Sequence, residues 1–243
     1  MFSPRKRLAA AVLAAAAGAM APAVASAGVV VSASGPSAGS FPVGKSIGNS
    51  ERIVLRAGDT LTVLDGNGTR VLRGAGTYTL SQQAGPSKRT EFANLTQRRA
   101  ASQLTTGAGR EGEIPPRPAS LWYVDVSHPG TVCVLGSERV RLWRPETTGE
   151  ATYSLRASAG GESHTAMFDD GSRLAAWDAA ALPISDGATF ALSAPDGAAG
   201  GTLTFAVLGA AAEEPEALAQ QLIEKGCTQQ LELLSSETMI EEG

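Results

Sequence analysis

The chain has 243 residues, 43% of them hydrophobic, which is long enough to bury a core in one large or two small domains. It carries 24 acidic and 20 basic side chains, a formal net charge of −4, and this acidic balance argues against binding nucleic acid through its phosphates. The only two cysteines lie far apart without clustered histidines or further cysteines, so they make a poor zinc site.

The N-terminal segment, residues 1–27, has the three zones of a secretory signal peptide. Three basic residues at 5–7 precede an alanine-rich apolar run at 8–20, and small residues at 25–27 suit signal peptidase. We expect cleavage after Ala27. An uncleaved anchor is the alternative, but a membrane span needs roughly 20 strongly apolar residues, and a glycine and a proline interrupt this run.

The expected mature chain would contain 216 residues, which is 243 less 27. The signal peptide removes three of the 20 basic residues and none of the 24 acidic ones, so the net charge falls to about −7 (17 basic against 24 acidic). No later segment of the sequence is apolar enough to span a membrane. We therefore expect a soluble periplasmic or secreted protein without a transmembrane segment.

Residues 28–82 are predicted to form a small β-meander module. Short apolar runs alternate with Gly, Asp and Asn, and Leu61 and Val63 alternate with threonines, which is typical of a half-buried strand. Asp65-Gly66-Asn67-Gly68 offers residues that tolerate positive φ, as a tight hairpin turn requires. The predicted strands are residues 29–31, 52–56, 60–64, 69–73 and 77–80.

Residues 83–119 lose this pattern and are interpreted as a flexible basic linker, with at most a helix over 91–104. Lys88-Arg89 and Arg98-Arg99 could contact anionic surfaces or an acidic partner. Interspersed glutamates dilute the positive charge, which favours a solvated linker.

Residues 120–210 are predicted to form an antiparallel β-sandwich, because about seven short strands alternate with turn signals such as Pro195-Asp196-Gly197. The predicted strands are residues 121–126, 131–135, 140–143, 151–157, 163–168, 188–193 and 202–208. The fold class is therefore mainly β.

Residues 211–243 are predicted to form a helical tail. Pro215 suits a helix start, Leu218 and Leu222 recur at helical spacing, and Gly226 suits a C-cap. A second short helix follows around Leu231.

Cys133 and Cys227 are predicted to form a disulfide, because an even pair in an oxidising compartment favours one. The bond would close a loop of about 94 residues, worth on the order of 4–5 kcal/mol in the chain-entropy model. It would attach the helical tail to the sandwich. Two buried free thiols are the alternative.

The segment LRAGDTLTVLDGNGTRVLRGAGTYTL, residues 55–80, resembles the β-hairpin pattern of FecR-like periplasmic modules. That resemblance implies a non-catalytic part in sensing or transmitting envelope signals. The wider sequence resembles an uncharacterised family of exported, β-rich alphaproteobacterial proteins. The matching segments are SGPSAGSFPVGKSI, the hairpin block, WYVDVSHPGTVCV, LWRP and GCTQQL.

Catalytic chemistry would have to use one of two histidines, His128 or His164. Asp169 or Asp170 with a serine could complete a hydrolase with His164, but no G-x-S-x-G motif presents a serine. His128 precedes Pro-Gly and more simply starts a turn. We therefore assign no catalytic residue.

Other chemistry has an equally simple structural interpretation. The segment from Asp65 resembles a calcium loop, but its twelfth position is Gly76, which lacks the required carboxylate. Adjacent acids such as Asp169-Asp170 in a turn point apart, which does not suit glycoside hydrolysis. Aromatics on strands more often belong to the core than to a sugar platform; they are Trp122, Tyr123 and Trp143. We assign no metal or cofactor.

Two functions remain open. The favoured one is a non-catalytic periplasmic interaction module that binds an envelope protein. The alternative is an envelope hydrolase or carbohydrate-active enzyme whose site is scattered in sequence. A cleft that gathers a histidine, an acid and a serine within hydrogen-bonding reach would favour the enzyme.

Overall fold

The computed structural model describes residues 28–82, 120–195, 199–210, 212 and 214–239. The signal peptide, the basic linker and most of the Pro195-Asp196-Gly197 turn lie outside them. Over the described residues the chain is mainly β with two helices near the C-terminus, which confirms the predicted fold class.

Fourteen strands and two α-helices are formed within the described residues. The strands are β1 Gly28–Ser34, β2 Ser46–Ile47, β3 Ile53–Leu55, β4 Thr60–Asp65, β5 Gly68–Arg73, β6 Gly76–Tyr78, β7 Tyr123–Asp125, β8 Thr131–Val134, β9 Arg141–Trp143, β10 Ala151–Ala157, β11 Ser163–Phe168, β12 Leu174–Ala176, β13 Thr189–Ser193 and β14 Ala199–Val207. The helices are α1 Pro215–Glu224 and α2 Thr228–Glu237.

The first six strands form two small sheets, one in the order β2-β1-β4-β5 and one of β3 and β6. The predicted hairpin joins β4 to β5, with Asp65 opposite Gly68. The Asp65 carboxylate accepts hydrogen bonds from the N–H groups of Asn67 and Gly68, at 2.7 and 3.2 Å. The strand order differs from a simple meander. Strand β3, which precedes this hairpin in the chain, pairs with β6, which follows it.

The later strands form a five-stranded sheet, β11-β10-β13-β14-β8, and a three-stranded sheet, β12-β9-β7. Side chains of both sheets share one core, in which the rings of Trp177, Phe190 and Phe205 meet edge to face at 5.1–5.7 Å. Strand β12 was not predicted from the sequence.

Two strand pairs are parallel, where the sequence analysis expected only antiparallel ones. Strand β7 pairs with β9, and β8 pairs with β14. In the first case β8 follows β7 but joins the other sheet. Because the chain then reverses again into β9, β7 and β9 run in the same direction within one sheet.

The two C-terminal helices lie between the two groups of strands. A third buried cluster combines residues of β1 and β4, of β8 and β14, and of both helices. Its members include Val29 and Leu64 from the first group, Ala206 from the second, and Leu222 and Leu234 from the helices. The tail is therefore a packed layer in contact with both groups of strands.

The junction between the helices follows the predicted cap. Gly226 has φ +74°, a conformation that favours glycine. The backbone N–H of Cys227 donates to the carbonyl of Leu222 at 2.8 Å, which closes the end of α1. The chain then turns directly into α2.

Candidate functional site

The disulfide fixes one end of α2 against the five-stranded sheet. Cys133 on β8 and Cys227 before α2 are bonded, with their Cα atoms 5.9 Å apart, and both are fully buried. This confirms the pairing predicted from the two cysteines. The bond joins the start of α2 to the outer strand of the sheet.

One turn along α2, Gln230 makes a second connection to the same strand. Its side-chain oxygen accepts from the Cys133 N–H at 2.6 Å, and its amide nitrogen donates to the Cys133 carbonyl at 2.7 Å and to the Ser120 carbonyl at 3.0 Å. The amide thus takes the place that a neighbouring strand would occupy at the edge of β8. No sequence pattern around Gln230 indicated this role.

A cleft opens beside this connection, between α2, the outward face of β7 and β9, and the turn leading into β8. It is partly open to solvent and offers about 30 Å³, room for a few water-sized groups. The residues that line it are Ser120, Tyr123, Asp125, His128, Thr131, Val132, Trp143, Gln229, Gln230 and Leu233. Residues of α2 therefore form one wall and strand residues the other.

Strand alternation explains why polar and aromatic groups face this cleft. In β7, Val124 points into the shared core, so Tyr123 and Asp125 on either side of it point outward. In β9, Leu142 points inward and Trp143 outward. The parallel pairing then places Asp125 directly beside Trp143.

At the end of β7, Asp125, Ser127 and His128 form a hydrogen-bonded cluster. One Asp125 oxygen accepts from the Ser127 hydroxyl and backbone N–H, and the other lies 3.0 Å from His128 Nδ1. The Ser127 hydroxyl also lies 3.0 Å from the same Nδ1. A histidine, an acid and a serine therefore lie within hydrogen-bonding reach of one another, and the histidine and the acid, but not Ser127, line the cleft.

The geometry of this cluster differs from that of a catalytic triad. In a triad the acid binds Nδ1 and the serine binds Nε2, so that the imidazole stands between them and relays the proton. Here the serine and the acid share one nitrogen and bond each other. The cluster orients the imidazole, 55% exposed, and closes the turn after β7.

Two aromatic residues, Tyr123 and Trp143, line the strand wall of the cleft. Burial raises the pKa of the Tyr123 hydroxyl and the nearby Arg141 charge opposes that shift, so the phenol stays protonated at neutral pH. Trp143 is 2% exposed, and its indole N–H has no acceptor among the described residues. Both aromatics are buried, as the sequence analysis predicted for rings on these strands.

The other sequence candidates lie apart from the cleft. His164 is on β11, at the far edge of the five-stranded sheet. Asp170 accepts from the Gly149 N–H at 2.7 Å, and the backbone carbonyl of Asp169 accepts from Arg144 at 3.0 Å. These contacts of the two residues stabilise the turns in which they lie. In the described part of the chain, no hydrogen bond joins either of them to His164.

The loop that resembles a calcium site is engaged with its own surroundings. Both Asp65 oxygens are used, one by the turn N–H groups and the other by Arg70 at 2.9 Å in a buried ion pair. No group of three or more metal-binding side chains occurs within the described ranges.

Comparison with protein-family models, curated proteins and solved structures finds no match for this chain. Within the described residues, no helix combines the length and apolar character needed to cross a membrane.

The sequence did contain a signal for the cleft. Asp125, Ser127 and His128 fall within four positions at the end of a predicted strand, a spacing at which Asp and Ser side chains bond nearby backbone N–H groups. The contribution of α2 had no such signal, since Gln229 and Gln230 reach the cleft only through packing across about 100 residues of sequence.

Proposed function

We propose that this chain is an exported, non-catalytic interaction module of the cell envelope that receives an envelope protein at the cleft beside α2. The observation that carries the proposal is the combination found there. The cleft is lined by a largely exposed imidazole, His128, and by the Asp125 carboxylate, which bonds both that imidazole and Ser127 in an arrangement unlike a catalytic triad.

Export is supported by the N-terminal signal pattern and by the disulfide. Disulfides persist in oxidising compartments such as the periplasm, and this one joins elements that the sequence separates by 94 positions. A periplasmic or secreted location is the one we propose.

The interaction role is supported by how the cleft is built. Its two walls are joined by a disulfide and by three hydrogen bonds of the Gln230 side chain, which donates two and accepts one, so its shape is fixed before a partner arrives. Preorganised walls reduce the entropy lost on binding. The resemblance of the hairpin block to FecR-like modules is consistent with the same role.

The experiment is cross-linking of the tagged protein in its native cells, followed by mass spectrometry of what it captures. Three forms are compared: the natural protein, Thr131→Phe, which fills the cleft, and Thr165→Phe, a matched change at an exposed position of β11. We expect one dominant envelope protein with the natural form and with Thr165→Phe, and its loss with Thr131→Phe.

Two outcomes of this experiment would overturn the proposal. If Thr131→Phe captures as much of the partner as the natural protein does, the partner does not bind at the cleft. If abundant, folded protein captures no other protein, the proposed role as an interaction module is wrong.

An envelope hydrolase is the second candidate, because Asp125, Ser127 and His128 lie within hydrogen-bonding distance of one another and the first and last of them line the cleft. It predicts that Ser127→Ala abolishes turnover of envelope-derived esters or peptides by the purified protein. If the chain is instead an interaction module, neither the natural protein nor Ser127→Ala should turn over these substrates. Ser127→Ala should then capture the partner as well as the natural protein does.

A further inference from the structure

Three exposed arginines lie on or beside the small sheet of β3 and β6. Arg52 and Arg56 directly flank β3, and Arg73 is the last residue of β5. The Tyr78 hydroxyl of β6 donates to the Arg73 carbonyl at 2.7 Å, which places the end of β5 beside this sheet. Among the residues that the structure describes, none of the three guanidinium groups is in an ion pair.

Strand alternation places two of these arginines on one exposed face. The first and last residues of β3 are buried in the core of the first group of strands, so Arg52, Val54 and Arg56 point to the opposite side. Alternate residues of a strand are about 7 Å apart, so the two arginines lie on either side of Val54, which is 54% exposed. Thr77, the neighbour of Val54 on β6, is exposed as well. We call these four residues the arginine face.

Two carboxylates close to the arginine face are engaged elsewhere. Asp59 is 3% exposed and accepts from two backbone N–H groups, one of them that of Arg56. The Arg56 charge acts on this carboxyl and lowers its pKa, but the buried carboxylate does not cover the exposed guanidinium. Glu51 lies 3.7 Å from Lys45 and accepts a further backbone N–H. The arginine face therefore stays positive and open to solvent.

The charges of the chain are unevenly distributed along the sequence. Residues 28–82 contain five basic and three acidic side chains, whereas residues 120–243 contain six basic and eighteen acidic ones. At physiological ionic strength, exposed charges more than about 8 Å apart are largely screened from each other. The arginine face can therefore bind an anionic surface although the whole chain is acidic.

The composition of the arginine face favours a lipid surface over an acidic protein. Arginine binds phosphate through paired N–H groups, and an apolar side chain among basic residues can enter the boundary between headgroups and acyl chains. An acidic protein would satisfy the arginines, but it would cover Val54 only with an apolar group set between its own acids. None of these residues lines the cleft beside α2, so the two surfaces are separate.

We propose that the arginine face docks this protein on the surface of a membrane that contains anionic phospholipid. Arg52 and Arg56 bind headgroup phosphates, Val54 contacts the acyl boundary, and Arg73 adds positive charge at the edge of the sheet. This inference goes beyond the proposed function, because it gives the protein a second binding surface that does not involve the partner at the cleft.

The test is sedimentation of the mature protein with sucrose-loaded vesicles at low salt. Vesicles of phosphatidylcholine alone are compared with vesicles of phosphatidylcholine and phosphatidylglycerol in equal parts. We expect the protein to sediment with the anionic vesicles only, and to be released as the salt concentration is raised.

Matched variants identify the surface that binds. Arg52→Gln with Arg56→Gln should lower the partition coefficient about thirtyfold, because each basic residue near an anionic membrane contributes roughly fivefold. Arg139→Gln with Arg156→Gln makes the same change in net charge at two exposed arginines outside the face and should lower it less than about twofold. Val54→Ser keeps every charge and should weaken binding about threefold through the lost apolar contact. Unchanged Tm of each variant shows that the fold is intact.

Four results would overturn the inference. The first two are an absence of binding to the anionic vesicles and an equal loss of binding in the two paired variants. The third is binding to beads coated with polyglutamate but not to the vesicles, which would assign the arginine face to an acidic protein. The fourth is self-association that Arg52→Gln with Arg56→Gln abolishes, without vesicle binding, which would assign it to a second copy of this chain. Because the vesicles contain no protein partner, each of these results leaves the proposal for the cleft unaffected.

Discussion

The side-chain amide of Gln230 pairs with both backbone groups of Cys133, as a neighbouring β-strand would. The two bonds measure 2.6 and 2.7 Å and lie next to the disulfide that joins Cys133 to Cys227. Helix α2 is therefore attached to the edge of β8 by one covalent bond and one amide. Because α2 also forms a wall of the cleft, this attachment sets the shape of the candidate site.

Replacing Gln230 should destabilise the protein markedly. Gln230→Ala leaves the buried N–H and carbonyl of Cys133 without partners, which costs roughly 2–4 kcal/mol in the free energy of unfolding. For a chain of this size that corresponds to a fall in Tm of about 5–15 °C. Gln229→Ala is the matched control on the same helix, with a predicted loss below about 1 kcal/mol. Calorimetry showing equal losses for the two variants would contradict the role given to Gln230.

Removing the disulfide should have a larger effect. Cys133→Ala with Cys227→Ala releases a loop of 94 residues and should lower the free energy of unfolding by about 4–5 kcal/mol in the chain-entropy model. Denatured, unreduced mature protein should contain no titratable thiol. Two titratable thiols together with unchanged melting under reductant would refute the bond.

Asp59 should make stability depend on pH in the acid range. Burial raises the pKa of this carboxyl, but hydrogen bonds from Ser37 and Arg56 and the charge of Arg56 outweigh burial and hold the pKa below its ordinary value. A lowered folded-state pKa stabilises the protein above the unfolded-state value, about 3.9, and that stability is lost as the pH falls through the folded-state pKa.

The check is urea unfolding of the natural protein and of Asp59→Asn from pH 6 down to pH 2. The variant lacks the titrating carboxyl, so its stability should fall less steeply below about pH 4. Parallel stability curves for the two proteins would show that Asp59 does not carry this dependence.

Arg144 should tolerate no conservative replacement. It is buried and donates to the carbonyls of Gly149, Asp169 and Ser172 at 2.8–3.0 Å, which joins two turns. Lysine cannot reproduce this planar fork, so Arg144→Lys should cost roughly 2–3 kcal/mol. Arg156→Lys, at an exposed arginine with one carbonyl contact, is the control and should change stability by less than about 0.5 kcal/mol. Equal chemical denaturation midpoints for the two variants would be the contrary result.

The sequence predicted the strands more reliably than their pairing. Alternation and turn residues located β10 and β11 to the residue and also found the hairpin at Asp65, because these features depend on neighbouring positions. Assignment of β8 to the opposite sheet from β7 and β9 depends on long-range packing. The local pattern is the same in either sheet, so the parallel pairs could not be predicted.

The candidate site was predictable only in part. The disulfide followed from the cysteine count and the expected compartment, without knowledge of the fold. The Asp125, Ser127 and His128 cluster is local, but only the turn that starts at His128 was predicted, and Asp125 and Ser127 were not identified from the sequence. The indole of Trp143 was expected to be buried, but its missing acceptor and its position opposite α2 follow only from three-dimensional packing.

The most direct test of the account is a photo-cross-linking map in native cells. A photoreactive phenylalanine analogue is placed singly at Thr131 or Gln229 in the cleft, and at Thr165 or Met167, exposed on β11. The account predicts one adduct of constant size from both cleft positions and none from the β11 positions. Adducts from β11 alone, or equal labelling from all four positions, would contradict the claim that the cleft beside α2 is where this protein binds its partner.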